Sequence, residues 1–248
     1  MTSPRSSRDD VLLSVVVPAY NEATTIEAAV RQLRQVPLRL EVIVVDDAST
    51  DGTGAILERL ASEGGGLVQR VIRHPTNRGK GAALRSGIAA ATGQVIVPQD
   101  ADLEYDPAEL PALLRPICDG KADAVYGSRF QGGPHRVLFF WHAVGNNFLT
   151  LVSNMFTNLN LTDMETCYKV VRADLLKRLP LTAERFGIEV ELTARLAQAG
   201  ARIWELPITY SGRTYAEGKK ITWRDGVAAL FHVIRYNLFP PRGAWRSR

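Results

Sequence analysis

The chain is poor in cysteine, in charge imbalance and in long uninterrupted apolar runs, and each shortage removes a class of protein. Its 248 residues hold two cysteines, Cys118 and Cys167, with no CxxC spacing and no Cys/His cluster. Neither a disulfide scaffold nor a structural zinc site is expected. A chain of this length buries enough apolar surface to need no such staple. The formal net charge is only +4, which suits an anionic ligand or a membrane surface and equally suits neither. Arginine-rich arms and aromatic-studded strands are missing, so nucleic acid is set aside as a partner. Residues Met1 to Asp10 are polar and lack an apolar h-region, which argues for a frayed tail and against a signal peptide. From Val137 to Thr162 there is no formal charge, but Asn146, Asn147, Asn154, Asn158, Asn160 and His142 fall within that stretch. Placing so many polar groups in hydrocarbon is costly, so a spanning helix is not expected.

What is present is an ordinary globular balance, 46% hydrophobic and 23% charged residues, arranged in a regular alternation. Apolar runs at Leu12–Val17, Leu40–Val45, Val68–Arg73, Val95–Pro98 and Ala122–Tyr126 predict strands. Helical patterns at Thr25–Val36, Gly54–Ser62, Ala82–Ala91 and Ala108–Cys118 fall between them. Thr24 with Glu27 predicts a capping box for the first helix. Short strands apolar on both faces, alternating with helices, predict an α/β fold: a Rossmann-like, mostly parallel sheet with helices on both faces. In such sheets ligands bind at the carboxyl ends of strands. The alternation breaks after Phe130, at Gln131-Gly132-Gly133-Pro134, and again in a polar loop from Ser211 to Lys220. A last helix follows, with Thr222 and Asp225 as its capping box. Trp223, Val227, Leu230, Phe231, Ile234 and Leu238 form one apolar face of it.

Three polar clusters come directly after predicted strands. Asp100-Ala101-Asp102 follows Val95–Pro98, and alternate side chains of an extended segment share a side, so both carboxylates could face one ligand. Two acids in a crevice favour a hard divalent cation, Mg²⁺ or Mn²⁺, and Glu104 is the next position on that side. A solvated acidic loop is the alternative. Asp46-Asp47-Ala48-Ser49 and Pro18-Ala19-Tyr20-Asn21-Glu22 also end strands. Tyr20, Glu22, Asp46 and Asp47 supply the aromatic wall and acceptors that a nucleoside needs. Each cluster alone would pass for a turn or a cap, but their coincidence at one sheet end argues for a site. Asn77-Arg78-Gly79-Lys80-Gly81 lacks the Walker A pattern and predicts either a phosphate contact at a helix N-terminus or a structural turn. Arg129, Arg213 and Lys219 are candidate phosphate clamps, whereas Lys220 reads as solvated. Asp163, Glu165, Glu189 and Glu191 are spare carboxylates, with Glu191 expected on a helix surface.

The ordered motifs Ser14–Glu22, Glu41–Thr53, Asn77–Gly87, Val97–Pro107, Tyr126–Phe130, Thr162–Arg172 and Gly212–Gly226 resemble the inverting GT-A glycosyltransferases. Within these they are most similar to the polyprenyl-phosphate (dolichyl-phosphate) mannose synthase group, in its single-domain type without transmembrane helices. The likeness runs from about Leu12 to Leu230. It implies that Pro18, Tyr20, Glu22 and Asp46 line the base and ribose, with Asp47 and Ser49 supporting that loop. It places Asp100 and Ala101 at the ribose–diphosphate region and Asp102 and Glu104 at the metal. Many relatives have Gln where Glu104 stands, which puts that ligand in question. Arg129 would meet the acceptor or donor phosphate, and Arg213 and Lys219 would come from a loop closing over the pyrophosphate. The implied division is a tail at 1–10 and a catalytic domain at 11–215, with a nucleotide-sugar half at 11–129 and an acceptor half at 130–215. A flexible loop and amphipathic helix at 216–248 complete it.

The implied reaction moves a hexose, mannose favoured, from a nucleotide-diphosphate sugar, GDP-mannose favoured, to a polyprenyl or dolichyl phosphate with inversion. A UDP-glucose or UDP-N-acetylhexosamine donor, or a hydroxyl acceptor, is the enzymatic alternative; a non-catalytic nucleotide-sugar binding module is the alternative of another class. A phosphomonoester with a second pKa of ~6 is largely dianionic at neutral pH and needs no general base. A hydroxyl acceptor would need one, with Asp163 or Glu165 as candidates. The expected location is the cytoplasm, with peripheral attachment to the cytoplasmic membrane face through the uncharged stretch and the last helix. Core packing or a homo-oligomer contact is the other use for those segments.

Overall fold

The β-branched runs of the first half become strands because they fill both faces of one sheet. In this computed structural model, which describes residues 11–63, 66–137, 139–214 and 223–239, β1 (Leu12–Ala19) and β2 (Arg39–Asp46) are the longest strands and are almost wholly buried. Val15 and Val17 point to one core, packed against Ile26, Val30, Leu57, Leu60 and Leu113. Val16 and Ile43 point to the other, with Leu84, Met164, Ile188 and Leu192. Period-two alternation with apolar residues on both sides places helices on both faces. On the first face lie α1 (Ile26–Leu33), α2 (Thr53–Ser62) and α4 (Leu110–Cys118). On the second lie α3 (Lys80–Ala90), the short α6 (Ala173–Leu176) and α7 (Ile188–Gln198). A Cβ at Gly87 would stand 2.2 Å from Val16 Cγ1, so glycine is what lets α3 lie so close to the sheet.

The seven strands run in the order β3-β2-β1-β4-β6-β5-β7, with β3 at Arg70–Arg73, β4 at Val95–Pro98, β5 at Ala124–Ser128, β6 at Lys169–Arg172 and β7 at Ile203–Pro207. All pairings are parallel except those of β6, which runs antiparallel between β4 and β5. Strand order reverses at β1, whose neighbours are β2 and β4. This is the GT-A arrangement, a Rossmann-like, mostly parallel sheet, and its switch point puts the carboxyl ends of β1, β2 and β4 side by side.

Two expectations need correction. The Thr24–Glu27 capping box does not form: Thr25 is the N-cap without a side-chain cap, its hydroxyl meets Glu22, and Glu27 pairs with Arg31 and Arg59. Glu191 is not on a helix surface. It is fully buried and accepts from the Thr182 and Ala183 amides and from Arg195. The last helix, α8 (Trp223–Leu238), turns much of its apolar face outward: Val227, Phe231 and Leu238 are exposed, and Val233 and Tyr236 are the buried positions. Thr222 lies outside the described residues. The uncharged stretch forms α5 (Phe140–Thr157), which packs on α8. Among the described residues, no helix is long and apolar enough to cross a membrane.

Candidate active site

The three polar clusters meet as the sheet register requires. Ala19 is level with Asp46, and Val16 is level with Pro98, so the loops after β1, β2 and β4 emerge together. Each loop turns on a non-glycine residue in the left-handed region, Asn21 (φ 54°), Ala48 (φ 63°) and Leu103 (φ 64°). Such conformations cost about 1–3 kcal/mol each and persist where the surroundings fix them. Here the Asn21 amide donates to Ser49 Oγ at 3.0 Å, and Asn21 Oδ1 accepts from the Thr50 amide at 2.8 Å. The Glu22 amide donates to Thr53 Oγ1 at 2.9 Å, and the Ser49 amide to Asp46 Oδ1 at 3.0 Å.

A cavity of about 550 Å³ opens beside the loop after β2, lined by Asp46, Ser49, Gly54, Arg73 and His74 among others. Tyr20 is exposed at 43%. Asp47 does not face the cavity as a free acceptor. It is buried, it pairs with His74 Nδ1 at 2.6 Å, and it accepts the Arg78 and Gly79 amides at 3.0 and 2.7 Å. The loop amides left open for a phosphate by the sequence are therefore occupied by Asp47, and the Asn77–Gly81 segment is a structural turn there.

The two acids of the Asp100–Asp102 motif have different surroundings. Both Asp100 oxygens meet Lys80 Nζ, at 2.7 and 3.0 Å. Among the described residues, Asp102 Oδ2 meets Arg213 Nη2 alone, at 2.9 Å, while its Oδ1 accepts the Glu104 amide at 3.2 Å. Burial, followed by the charges of Asp100 and Glu104, pushes the Asp102 carboxyl up to about 7. Glu104 uses both oxygens within the protein. Oε1 accepts the Arg213 backbone N–H at 2.9 Å and its Nε at 3.2 Å, and Oε2 accepts Tyr210 O–H at 2.6 Å.

Arg129, at the end of β5, is held by Asp163 through Nε at 2.6 Å and Nη2 at 2.8 Å, and Nη2 also reaches Asn146 Oδ1 at 3.1 Å. Its guanidinium lies 5.1 Å from the Tyr210 ring centre. Asp163 is fully buried, so it is a partner of Arg129 and has no lone pair directed at an acceptor hydroxyl. Among the described residues Glu165 Oε1 is sealed and meets no hydrogen-bond partner, and burial pushes its carboxyl up to about 7. Pro18 and Ala101 border the same loops, whereas Lys219 lies outside the described residues. Lys80, Tyr210 and Asn146 were not singled out by sequence; only Lys80 carried a signal, as the cation of a glycine-flanked motif.

A divalent cation fits this chemistry at Asp102, a half-buried acid with Asp100 and Glu104 as acidic neighbours and Arg213 as its guanidinium partner. Among the described residues no group of three or more His, Cys, Asp or Glu side chains is placed to hold a metal ion by itself, and a cation at Asp102 would need oxygens from outside the chain, such as those of a phosphate.

Residues 14–179 match Glycosyl transferase family 2. The chain belongs to that family. An undecaprenyl-phosphate mannosyltransferase of Micrococcus luteus is 34% identical over 236 residues, 90% of this chain and 93% of that protein. A polyprenol monophosphomannose synthase of Mycolicibacterium smegmatis is 29% identical over 242 residues, 95% of this chain and 90% of that one. Among solved structures, glucosyl-3-phosphoglycerate synthase of Mycobacterium tuberculosis with phosphoglyceric acid aligns at TM-score 0.73 and 21% identity, covering 94% of this chain and 82% of that one. The same enzyme with Mn²⁺ and UDP-glucose aligns at TM-score 0.72 and 22% identity, with the same coverage. This family 2 member is a glycosyltransferase, and the structural likeness extends to its fold.

Proposed function

We propose that the chain transfers a hexose, with mannose from GDP-mannose favoured, to a polyprenyl phosphate with inversion. The observation that carries this reading is the pairing of a charge-deficient acid, Asp102, with Arg213 at the switch point, while Arg129 stands fixed by Asp163 and Asn146 nearby. The two polyprenyl-linked mannosyltransferases among the relatives support the acceptor and the sugar. In this reading residues 11–129 serve the nucleotide sugar, residues 130–215 serve the acceptor, and residues 216–248 supply a loop and the amphipathic helix that meets the membrane.

Tyr20, Glu22 and Asp46 hold the base and ribose beside Pro18, and Asp47 and Ser49 fix the loop that carries Asp46. Asp102 would hold Mg²⁺ or Mn²⁺, which would supply charge neutralisation for the leaving diphosphate; Glu104, the other acid assigned to the metal, orients Arg213 beside it. Arg129 orients the acceptor phosphate. A phosphate oxygen attacks the anomeric carbon, the bond from that carbon to the diphosphate breaks, and its electron pair leaves with the nucleoside diphosphate. Arg213 and Lys219 stabilise the negative charge that builds there. The engagement of Asp163 by Arg129 favours a phosphate nucleophile, since a hydroxyl would need a free base.

The exposed aromatic residues of α5 and α8 support peripheral attachment to the cytoplasmic face of a membrane. Radiolabelled GDP-mannose and UDP-glucose, each offered with undecaprenyl phosphate, test the reading. Label should enter the lipid from GDP-mannose and require Mg²⁺ or Mn²⁺. Transfer to a soluble hydroxyl acceptor in place of the lipid would overturn it.

A further inference from the structure

The glycine-flanked lysine of the Asn77–Gly81 motif is left over by the nucleotide reading, and its surroundings are unusual. Lys80 stands at the N-terminus of α3, its side chain only 16% exposed, between Asp100 and Glu189; Glu189 Oε1 is 3.0 Å from its Nζ. Glu189 also meets Lys169, at 3.2 Å, and the Lys169 side chain is fully buried. Four alternating charges thus run inward from the Asp100–Asp102 motif: Asp100, Lys80, Glu189 and Lys169. The glycines on either side set the backbone of this lysine. A Cβ at Gly79 would stand 2.5 Å from Glu184 O, and one at Gly81 would stand 2.4 Å from Ala183 O. Only glycine lets this turn press against the 183–185 segment and aim Lys80 at Asp100.

Two adjacent carboxylates in a crevice would ordinarily share one cation. Here the first has its cation built in, as a buried ammonium backed by a second ion pair. Breaking a buried pair on one side leaves an uncompensated charge, so this chain of charges is stiff. We infer that Lys80 is a positioning residue for the transfer reaction: it holds Asp100 out of the metal's reach and leaves Asp102 as the acid open to a cation. This deepens the metal reading above, and rests on it for the role of Asp102 alone. The division has a consequence that a packing role does not share. Without Lys80, Asp100 turns toward Asp102 and the two together make a better cation site, although a worse catalyst.

The test uses the full chain and Lys80→Met, which keeps the unbranched apolar stem and removes the charge. Mn²⁺ titrated without nucleotide and followed by electron paramagnetic resonance should bind Lys80→Met at least about tenfold more tightly than the unaltered chain, from the removal of one nearby positive charge. Donor turnover should fall on the order of 10²-fold. Lys80→Met with Glu189→Gln returns the buried group to its original net charge. Its melting temperature should recover most of what the single variant loses, whereas turnover stays low. Weaker Mn²⁺ binding in Lys80→Met, or turnover that recovers together with the melting temperature, would overturn the inference. An unaltered chain that binds no Mn²⁺ with or without GDP or UDP removes the metal reading. The Lys80 inference still predicts a site gained in Lys80→Met.

Discussion

Arg213 reaches Asp102 and Glu104 at once, with Nη2 2.9 Å from Asp102 Oδ2 and Nε 3.2 Å from Glu104 Oε1. One side chain therefore balances two acids where the proposed diphosphate would lie. In the proposed reaction a cation would engage the acid, and the guanidinium would then be free to meet the diphosphate. Arg213→Met should lower turnover on the order of 10²-fold. Free Mn²⁺ should bind it no more weakly than it binds the unaltered chain, since a competing cation has gone. Equal turnover in Arg213→Met and the unaltered chain, by donor hydrolysis, would refute this role.

Tyr210 joins the two cationic regions: its hydroxyl donates to Glu104 at 2.6 Å, and its ring lies 5.1 Å from the Arg129 guanidinium. Tyr210→Phe removes the first contact and keeps the second. Its effect should fall on the donor side, as a KM for nucleotide sugar raised severalfold, the size of one hydrogen bond to a charged group. Tyr210→Leu removes both and should raise the acceptor KM as well, by the few-fold that a cation–π contact of about 1 kcal/mol represents. Steady-state kinetics with each substrate varied in turn separates the two. Identical effects of the two variants would mean that the ring does not serve Arg129.

Much of this site was legible because strand ends announce themselves. Val95–Pro98 is a run of four buried residues, and an acid placed directly after it has nowhere to go but the crevice. The strand-to-loop register that unites Asp46, Tyr20 and Asp102 follows from the same rule. The partners of those acids were not legible, because they come from distant segments: Lys80 to Asp100 spans 20 positions, Arg129 to Asp163 spans 34 and Arg213 to Asp102 spans 111. The antiparallel insertion of β6 had no sequence signal either, since Lys169–Arg172 is short and its lysine is fully buried by pairing with Glu189. Glu191 misled for a related reason. An acid in the first turn of a helix resembles a solvated cap until the Thr182–Ala183 segment is seen to fold over it.

Glu165 gives the chain a pH dependence of definite sign. Its carboxyl moves from an ordinary 4.5 up to about 7 because burial disfavours its charge; Lys169 and Arg129 oppose the shift, and Glu189 and Asp163 add to it. A carboxyl raised on folding holds its proton more tightly in the folded state. Its contribution is full below about 4.5 and is lost as pH rises through about 7, on the order of 3 kcal/mol at most. The melting temperature should therefore fall between pH 5 and pH 8, and Glu165→Gln should remove several degrees of that fall. An unchanged slope in the Gln variant, by calorimetry across that range, would show that Glu165 does not titrate there.

The outward faces of α5 and α8 set a last expectation. Trp141 is exposed at 77%, Phe148 at 53% and Phe231 at 60%, on helices that pack against each other. Residues so exposed contribute little to the core, so serine at all three positions should leave the melting temperature nearly unchanged. Each aromatic ring drawn into a lipid interface, however, is stabilised by burial of its apolar area, roughly 25 cal/mol per Å². Three together should govern attachment. The unaltered chain should sediment with anionic liposomes and the triple serine variant should remain in solution, with activity toward a short water-soluble polyprenyl phosphate preserved. If the unaltered chain instead stays in solution with liposomes and elutes as a dimer that the triple variant abolishes, the face joins copies of the chain and the membrane attachment fails.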